Sequence, residues 1–231
     1  TSAGVDALMF PALVEGDIPV TNARGIFDRP IAEYVLGVIL AFAKDLPRSL
    51  ELKNRRQWEH RDTERIDDRS VLVVGAGSIG RAVARLCTAA GMEVDGLARH
   101  ARDDDGDFRK VYGSGDIHQV LGQFAYVVVT APLTEATRGL FNDDTFGAMR
   151  PGSYFINVGR GPIVKTDALL RAVESGHLGG AAVDVFEEEP LPADHPLWAQ
   201  ENVIITAHMA GDFIGWREAL SRQFLENFQR W

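Results

Sequence analysis

Three short segments carry side chains with the makings of a reaction centre. Asn157-Val158-Gly159-Arg160-Gly161 turns on glycines and offers Arg160. A guanidinium can grip a carboxylate through two parallel hydrogen bonds. Asp184-Val185-Phe186-Glu187-Glu188-Glu189-Pro190 offers acids, and Ala207-His208-Met209-Ala210-Gly211 offers His208. A histidine titrates near neutrality and is a natural general acid, and a carboxylate beside it favours the protonated form. Taken singly, each residue has a bland reading: Arg160 a surface cation, Glu189 a loop acid, His208 a satisfied loop histidine. Each segment follows a strand-like run, however, and three such groups on successive strand ends resemble a site.

A fourth segment, Gly75-Ala76-Gly77-Ser78-Ile79-Gly80, fits the pattern G-x-G-x-x-G. In that pattern the first glycine allows a tight turn. The second lets the backbone approach a pyrophosphate, and the third lets helix and strand pack closely. The helix start then offers free N–H groups and a positive dipole end to the phosphates. A glycine turn alone is an ordinary connection. Here it follows an apolar strand and opens a helix, the context a dinucleotide site requires. For NAD the next strand should end in an acid that bonds the ribose hydroxyl. That place falls on Ala98, and Arg99, His100 and Arg102 cluster just beyond it. Cations there suit the 2′-phosphate of NADP, which is the expected cofactor, with NAD still admissible. The bland reading of this cluster is a solvated loop.

Such groups need a frame that brings strand ends together. Residues 71–74, 92–98, 125–130, 153–158, 180–185 and 203–206 read as strands, and 81–90, 117–122, 143–149 and 166–175 as helices. Their alternation predicts a parallel sheet with helices on both faces, a doubly wound α/β fold of Rossmann type. Arg160 and His208 then lie at carboxyl ends of strands, where open sheets bind ligands. Ahead of this region, residues 18–21 read as a short strand, 22–30 as a polar link and 31–46 as a long apolar helix stopped by Pro47. The wide apolar face of that helix should be buried against another element or another chain. Residues 53–69 read as a charged connector with Trp58 anchored in it, 103–107 as an acidic loop and 211–231 as a last helical region.

Composition limits what the frame can do. Of 231 residues, 45% are apolar and 25% charged, enough for a sizeable core and against disorder of the whole chain. A net charge of −9 disfavours nucleic acid, whose phosphates require clustered Lys and Arg. The one cysteine, Cys87, cannot form an internal disulfide, which fits a reducing cytoplasm. The longest apolar run, 34–43, is too short to span a bilayer, and no signal-peptide pattern opens the sequence. His60, His118, His177 and His195 lack metal-ligand spacing and read as surface groups, so no metal is expected. Cys87 reads as core, Trp198 and Trp216 as packed, and Glu187 and Glu188 as solvated. The sequence opens on Thr1 rather than Met, which reads as a start inside a longer chain.

The chain resembles the D-isomer-specific 2-hydroxyacid dehydrogenase family, and within it the glyoxylate and hydroxypyruvate reductases. The resemblance rests on Ser2 to Asp6, Ala32-Glu33, Trp58, the glycine turn, Pro132-Leu133-Thr134 with Thr137, Asn157 to Gly161, Asp184 to Pro190 and His208 to Gly211, in that order. It implies that Arg160 binds the substrate carboxylate and carbonyl, that Glu189 pairs with His208, and that His208 is the acid/base. Backbone amides of Ala3 and Gly4 would help hold the carboxylate. Asp184 would hold the nicotinamide amide, while Ser78, Ile79, Ala131, Pro132, Val158, Gly159 and Ala210 would line the cofactor.

The resemblance also implies an organisation. Residues 1–29 would be part of a second, smaller flavodoxin-like substrate domain, 30–209 the dinucleotide-binding domain, and 210–231 a helix returning to the substrate domain. The family's first half of the substrate domain and its last short segment are not in this sequence. The helix at 31–46 and the region of Trp58 match the family's dimer arm, so a homodimer is expected. The implied reaction is hydride transfer between NADPH and a small 2-oxo acid, in the cytoplasm, with no nucleic-acid or membrane partner. Trp216, after His208, could border that substrate. A non-catalytic NAD(P)-sensing protein, like the corepressors that share the fold, is the alternative. A methyltransferase reading of the glycine turn leaves the other motifs unexplained.

Overall fold

After Ser70 the run Val-Leu-Val-Val at 71–74 is apolar toward both sides, as a strand covered on both faces must be. In the computed structural model, which describes residues 4, 10–18, 20–103 and 106–230, it is a central strand of a mostly parallel sheet. The first elements are α1 (Pro11–Val14), α2 (Asp28–Ala43) and α3 (Leu46–Arg55). There follow β1 (Ser70–Val74), α4 (Ser78–Ala89), β2 (Glu93–Ala98), β3 (Arg102–Asp103), β4 (Lys110–Gly113) and α5 (Ile117–Val120). The second half runs β5 (Tyr126–Val129), α6 (Asp143–Ala148), β6 (Tyr154–Asn157), α7 (Thr166–Glu174), β7 (Gly180–Val183), β8 (Val203–Ile205) and α8 (Trp216–Arg230).

Among the described residues the sheet has eight strands in the order β3-β4-β2-β1-β5-β6-β7-β8. Every pairing is parallel except the short edge pair β3–β4. Order reverses at β1, whose neighbours are β2 on one side and β5 on the other. The period of two sorts the side chains. Val71, Val73, Val94, Tyr126, Val128 and Ile156 join α2 and α4 in one core. Leu72, Val74, Val127, Val129 and Phe155 join α5, α6 and α7 in the other. Within the second core Phe155 packs against Phe141 and Phe146, with ring centroids 4.8 and 5.1 Å away. Full burial of such a side chain contributes about 1.5–3 kcal/mol.

Several expectations need correction. The apolar helix ends at Ala43, and Pro47 starts the next helix rather than stopping this one. The break is at Asp45, whose φ of 49° is left-handed, and proline's missing N–H costs nothing in a first turn. The apolar face of α2 meets its expectation, since it is buried against another element, α4 and the sheet. Trp58 is not anchored: it is 99% exposed. Trp198 is also largely exposed, although its indole N–H donates to the Pro192 carbonyl at 2.9 Å. Residues 18, 20 and 21 form no strand. Asp103 lies in β3, and Asp107 binds both Arg81 and Arg85 of α4 at 3.0–3.1 Å, so the acidic loop is partly structural. The last helix begins at Trp216, not at Gly211.

Cys87 sits on the buried face of α4, and burial pushes its thiol up to about 12. At pH 8 about one thiol in ten thousand would be thiolate, the only form that alkylates readily. Native protein should therefore resist iodoacetamide at pH 8, and denatured protein should take up one label. Equal labelling rates in the two states would show that α4 does not shield the thiol.

Candidate active site

The glycine turn lies where the strand order reverses. Gly75, directly after β1, has a φ of 112°, and a Cβ there would lie 2.6 Å from the Ala131 backbone nitrogen. A Cβ on Gly80 would lie 2.0 Å from the Gly75 carbonyl oxygen, so α4 can approach β1 only with glycine there. The Thr130 hydroxyl, past β5, donates to that carbonyl at 2.8 Å and ties the two strand ends together. Gly77 differs: it caps α4 in an extended conformation, and a Cβ on it would meet nothing within 4 Å. The space beside Gly77 is therefore open, next to the first N–H groups of a helix, which have no intrahelical acceptors. That cradle fits a dinucleotide pyrophosphate. Ser78 opens α4, and its hydroxyl donates to Asp28 at 3.2 Å, while Ile79 packs partly buried against the α2–α4 core.

At the end of β2, Ala98 is partly buried and no acid stands among residues 98–102. The acid within the strand, Asp95, is buried and already taken by Arg109 at 3.0 and 3.2 Å. Arg99, His100 and Arg102 are exposed together beyond the strand end, Arg102 within β3. Ala131 is buried and Pro132 exposed at the end of β5, facing the glycine turn side of the crevice.

The Arg160 turn is braced by Asn157, the last residue of β6. Asn157 is fully buried; its amide donates to the Arg160 carbonyl at 3.2 Å and accepts from the Gly159 N–H at 3.1 Å. Val158 is buried beside it, and a Cβ on Gly159 would lie 2.9 Å from the Ala131 carbonyl oxygen. A Cβ on Gly161 would lie 1.7 Å from the Phe186 carbonyl oxygen. This glycine lets the Arg160 turn pass directly against the loop that carries Glu189. Arg160 itself is half-buried, and its Nη1 donates to the Gly159 carbonyl at 2.8 Å.

Glu189 and His208 meet. Nδ1 of His208 lies 2.8 Å from Oε2 of Glu189, and the other carboxylate oxygen of Glu189 accepts from the Phe186 N–H at 2.9 Å. The His208 side chain is half-exposed. Its φ of 52° is left-handed, which costs a residue with a Cβ about 1–3 kcal/mol and persists only where the surroundings over-determine it. Asp184 supplies much of that surrounding. It is 2% exposed, its carbonyl accepts from the His208 N–H at 2.8 Å, and its carboxylate accepts from Met209 and Ala210 N–H groups at 2.9 Å each. The Thr206 hydroxyl adds a third donor at 2.5 Å.

The structure thus brings together the glycine turn with the β5 end, the Arg160 turn with the Glu189 loop, and Glu189 with His208. It leaves Glu188 exposed but gives Glu187 a structural task, accepting from the Thr166 N–H at the start of α7 at 2.8 Å. Trp216 packs against Phe27 with ring centroids 6.1 Å apart. Gly4 is partly buried, and the expected role of Ala3 lies outside the described residues. Thr130, Thr206 and Tyr34 were given no role by the sequence, and Asn157 entered only as a member of the Arg160 motif. The available signal was their position, since three of them are polar residues at or just past strand ends.

Residues 36–210 match the family described as D-isomer specific 2-hydroxyacid dehydrogenase, NAD binding domain. A glyoxylate/hydroxypyruvate reductase A from Serratia proteamaculans is 31% identical over 214 residues, spanning 90% of this chain and 68% of that protein. A D-isomer specific 2-hydroxyacid dehydrogenase from Xanthobacter autotrophicus, solved with NADPH and MES, is 36% identical with a TM-score of 0.87, covering 99% of this chain and 93% of that one. An NADPH-dependent glyoxylate/hydroxypyruvate reductase from Sinorhizobium meliloti, solved with NADP and sulfate, is 29% identical with a TM-score of 0.89, covering 99% and 73%. The chain belongs to the D-isomer specific 2-hydroxyacid dehydrogenase family, and its sheet is that family's NAD-binding fold. Its class of activity is therefore oxidoreduction of small 2-hydroxy acids and 2-oxo acids. Among the described residues no helix is long and apolar enough to cross a membrane.

Proposed function

We propose that the protein reduces a small 2-oxo acid of the glyoxylate or hydroxypyruvate type to the D-2-hydroxy acid, with NADPH preferred over NADH. The observation that carries this reading is the 2.8 Å contact between His208 and Glu189 on the loop braced by Asp184. With Nδ1 engaged by Glu189, Nε2 is the ring nitrogen free to hold a proton toward the substrate. Arg160 grips the carboxylate and polarises the carbonyl beside it. A bound nicotinamide supplies the hydride. His208 gives its Nε2 proton to the oxygen as negative charge develops there, and Glu189 stabilises the imidazolium that precedes the transfer. Asp184 has one of its roughly four acceptor positions left for the nicotinamide amide. Gly75, Gly77, Ser78, Ile79, Gly80, Ala131, Pro132, Val158, Gly159 and Ala210 line the cofactor crevice. Backbone amides at Ala3 and Gly4 help hold the substrate.

The wider organisation follows the same reading. Residues 1–29 and 210–231 belong to a second, smaller domain that carries part of the substrate pocket, and residues 30–209 hold the dinucleotide. The protein is a homodimer, supported by Leu46 and Leu50 on α3 and by Trp58, all exposed on one stretch of chain. A reducing compartment, the cytoplasm, suits its single cysteine. The deciding experiment is NADPH oxidation across a panel of 2-oxo acids. Turnover of glyoxylate or hydroxypyruvate supports the reading; NADPH binding with no turnover of any member would favour a cofactor sensor.

NADPH preference rests on Ala98 where an acid would exclude the 2′-phosphate, and on the exposed Arg99, His100 and Arg102 beyond it. One charge-assisted phosphate contact contributes about 1.5–3 kcal/mol, roughly ten- to a hundredfold in kcat/KM. Ala98→Asp combined with Arg99→Ser should turn the preference toward NADH. Equal kcat/KM for both cofactors in the unaltered protein would refute the assignment.

A further inference from the structure

The loop that carries His208 is held from an unexpected direction. Tyr34 lies on α2, far back in the chain, and its hydroxyl is 2.8 Å from the Thr206 hydroxyl. Thr206 in turn lies 2.5 Å from Oδ1 of Asp184. A carboxylate only accepts, so Thr206 spends its one proton on Asp184 and must accept from Tyr34. The relay therefore has a direction: Tyr34 to Thr206 to Asp184. Burial raises the Tyr34 hydroxyl above the usual phenol range, and the charge of Asp184 adds to the rise. Tyr34 accordingly keeps the proton it donates.

The far end of the loop rests on the same helix. A Cβ on Gly211 would lie 3.2 Å from the Phe27 ring and 3.4 Å from Ile31. Ala210 is buried in the core that α2 shares with the sheet. So α2 and the residue that caps it touch the loop at residue 206 through Tyr34 and at residue 211 through Ile31 and Phe27. Between those points lie His208 in its left-handed conformation and the two amides that Asp184 receives.

We propose that Tyr34 is a positioning residue for the proton-transfer step: through Thr206 and Asp184 it holds the 206–210 loop so that His208 stays on Glu189. The proposal rests on the reductase reading for its kinetic consequence, but not for its structural one. Removing the relay frees the loop locally, and leaves the glycine turn, where the pyrophosphate is held, as it is.

The test uses Tyr34→Phe, which keeps the ring, Thr206→Val, which removes the hydroxyl at nearly constant shape, and Thr206→Ser, which retains it. In Tyr34→Phe and Thr206→Val, kcat for glyoxylate should fall about three- to tenfold, with a smaller rise in KM for NADPH. Amide exchange of Met209 and Ala210 should quicken by a similar factor, while that of β1 does not move. Thr206→Ser should restore both. Unchanged exchange at residues 209 and 210 in Tyr34→Phe would overturn the proposal, as would an equal rise throughout β1, which would mean a general loss of stability. If the unaltered protein reduces no 2-oxo acid, the functional reading fails, and amide exchange alone then decides the positioning role.

Discussion

Replacing His208 with alanine is expected to lower kcat for 2-oxo acid reduction by roughly 10²–10⁴, the range for loss of a positioned acid or base. The reason lies in what the site contains besides His208. Glu189 is bonded to Nδ1, on the opposite side of the ring from Nε2, and is not placed to protonate the substrate in its stead. Asp184 is buried and already accepts three donors, so it cannot take over. Cofactor affinity should hardly change, because the substitution removes only the imidazole, while Asp184 and Ala210 keep their bond and the glycine turn and the Thr130 tie lie elsewhere. The measurement is steady-state kinetics with a parallel NADPH titration by fluorescence. Turnover near that of the unaltered protein would remove His208 from the mechanism. Loss of NADPH binding would instead show that the imidazole itself holds the loop that presents Ala210 to the cofactor.

How much of this was readable from residue order differs from element to element. The buried parallel strands were legible because β1 and β5 are continuous apolar runs, and the helices between them because their apolar residues repeat with helical spacing. β3 and β4 were not, since two to four mixed residues at a sheet edge carry no period. Pro47 misled because proline both ends and begins helices, and only the left-handed Asp45 decides which. Trp58 misled because an aromatic in a charged stretch suggests anchoring, while a single sequence does not say whether the anchor is the same chain. The same contrast holds within the site. Glu189 and His208 are 19 residues apart past neighbouring strand ends; their pairing was implied by the family resemblance, and the parallel order of β7 and β8 makes it possible. Tyr34 and Thr206 are 172 residues apart, and nothing in the local pattern of α2 marks one tyrosine as a donor to a distant loop. Asn157 was visible as part of a motif, but its bracing of Arg160 depends on a buried amide used from both ends.

Arg160→Ala is expected to reduce kcat/KM for the 2-oxo acid by roughly 10²–10⁴, from two charge-assisted hydrogen bonds at about 1.5–3 kcal/mol each. Lysine at this position should regain no more than about tenfold, because an ammonium is a point charge and cannot reproduce the planar two-pronged grip. The turn around Arg160 sharpens the distinction. Its backbone is fixed by the Asn157 amide and by Gly161 packed against Phe186, so it cannot shift to bring a shorter or differently shaped head group into place. One Nη of Arg160 is already engaged by the Gly159 carbonyl, which sets the plane of the guanidinium before a substrate arrives. Lysine would have to find its position at the moment of binding and lose more side-chain freedom in doing so. The loss should appear mainly as a raised KM, with a smaller fall in kcat for the lost polarisation of the carbonyl. NADPH affinity, measured by fluorescence in the same preparations, should stay within about twofold, since Arg160 is assigned to the substrate and not to the cofactor phosphates. A lysine variant with unchanged KM would show that the substrate carboxylate is held elsewhere, and the two-pronged role of Arg160 would fall.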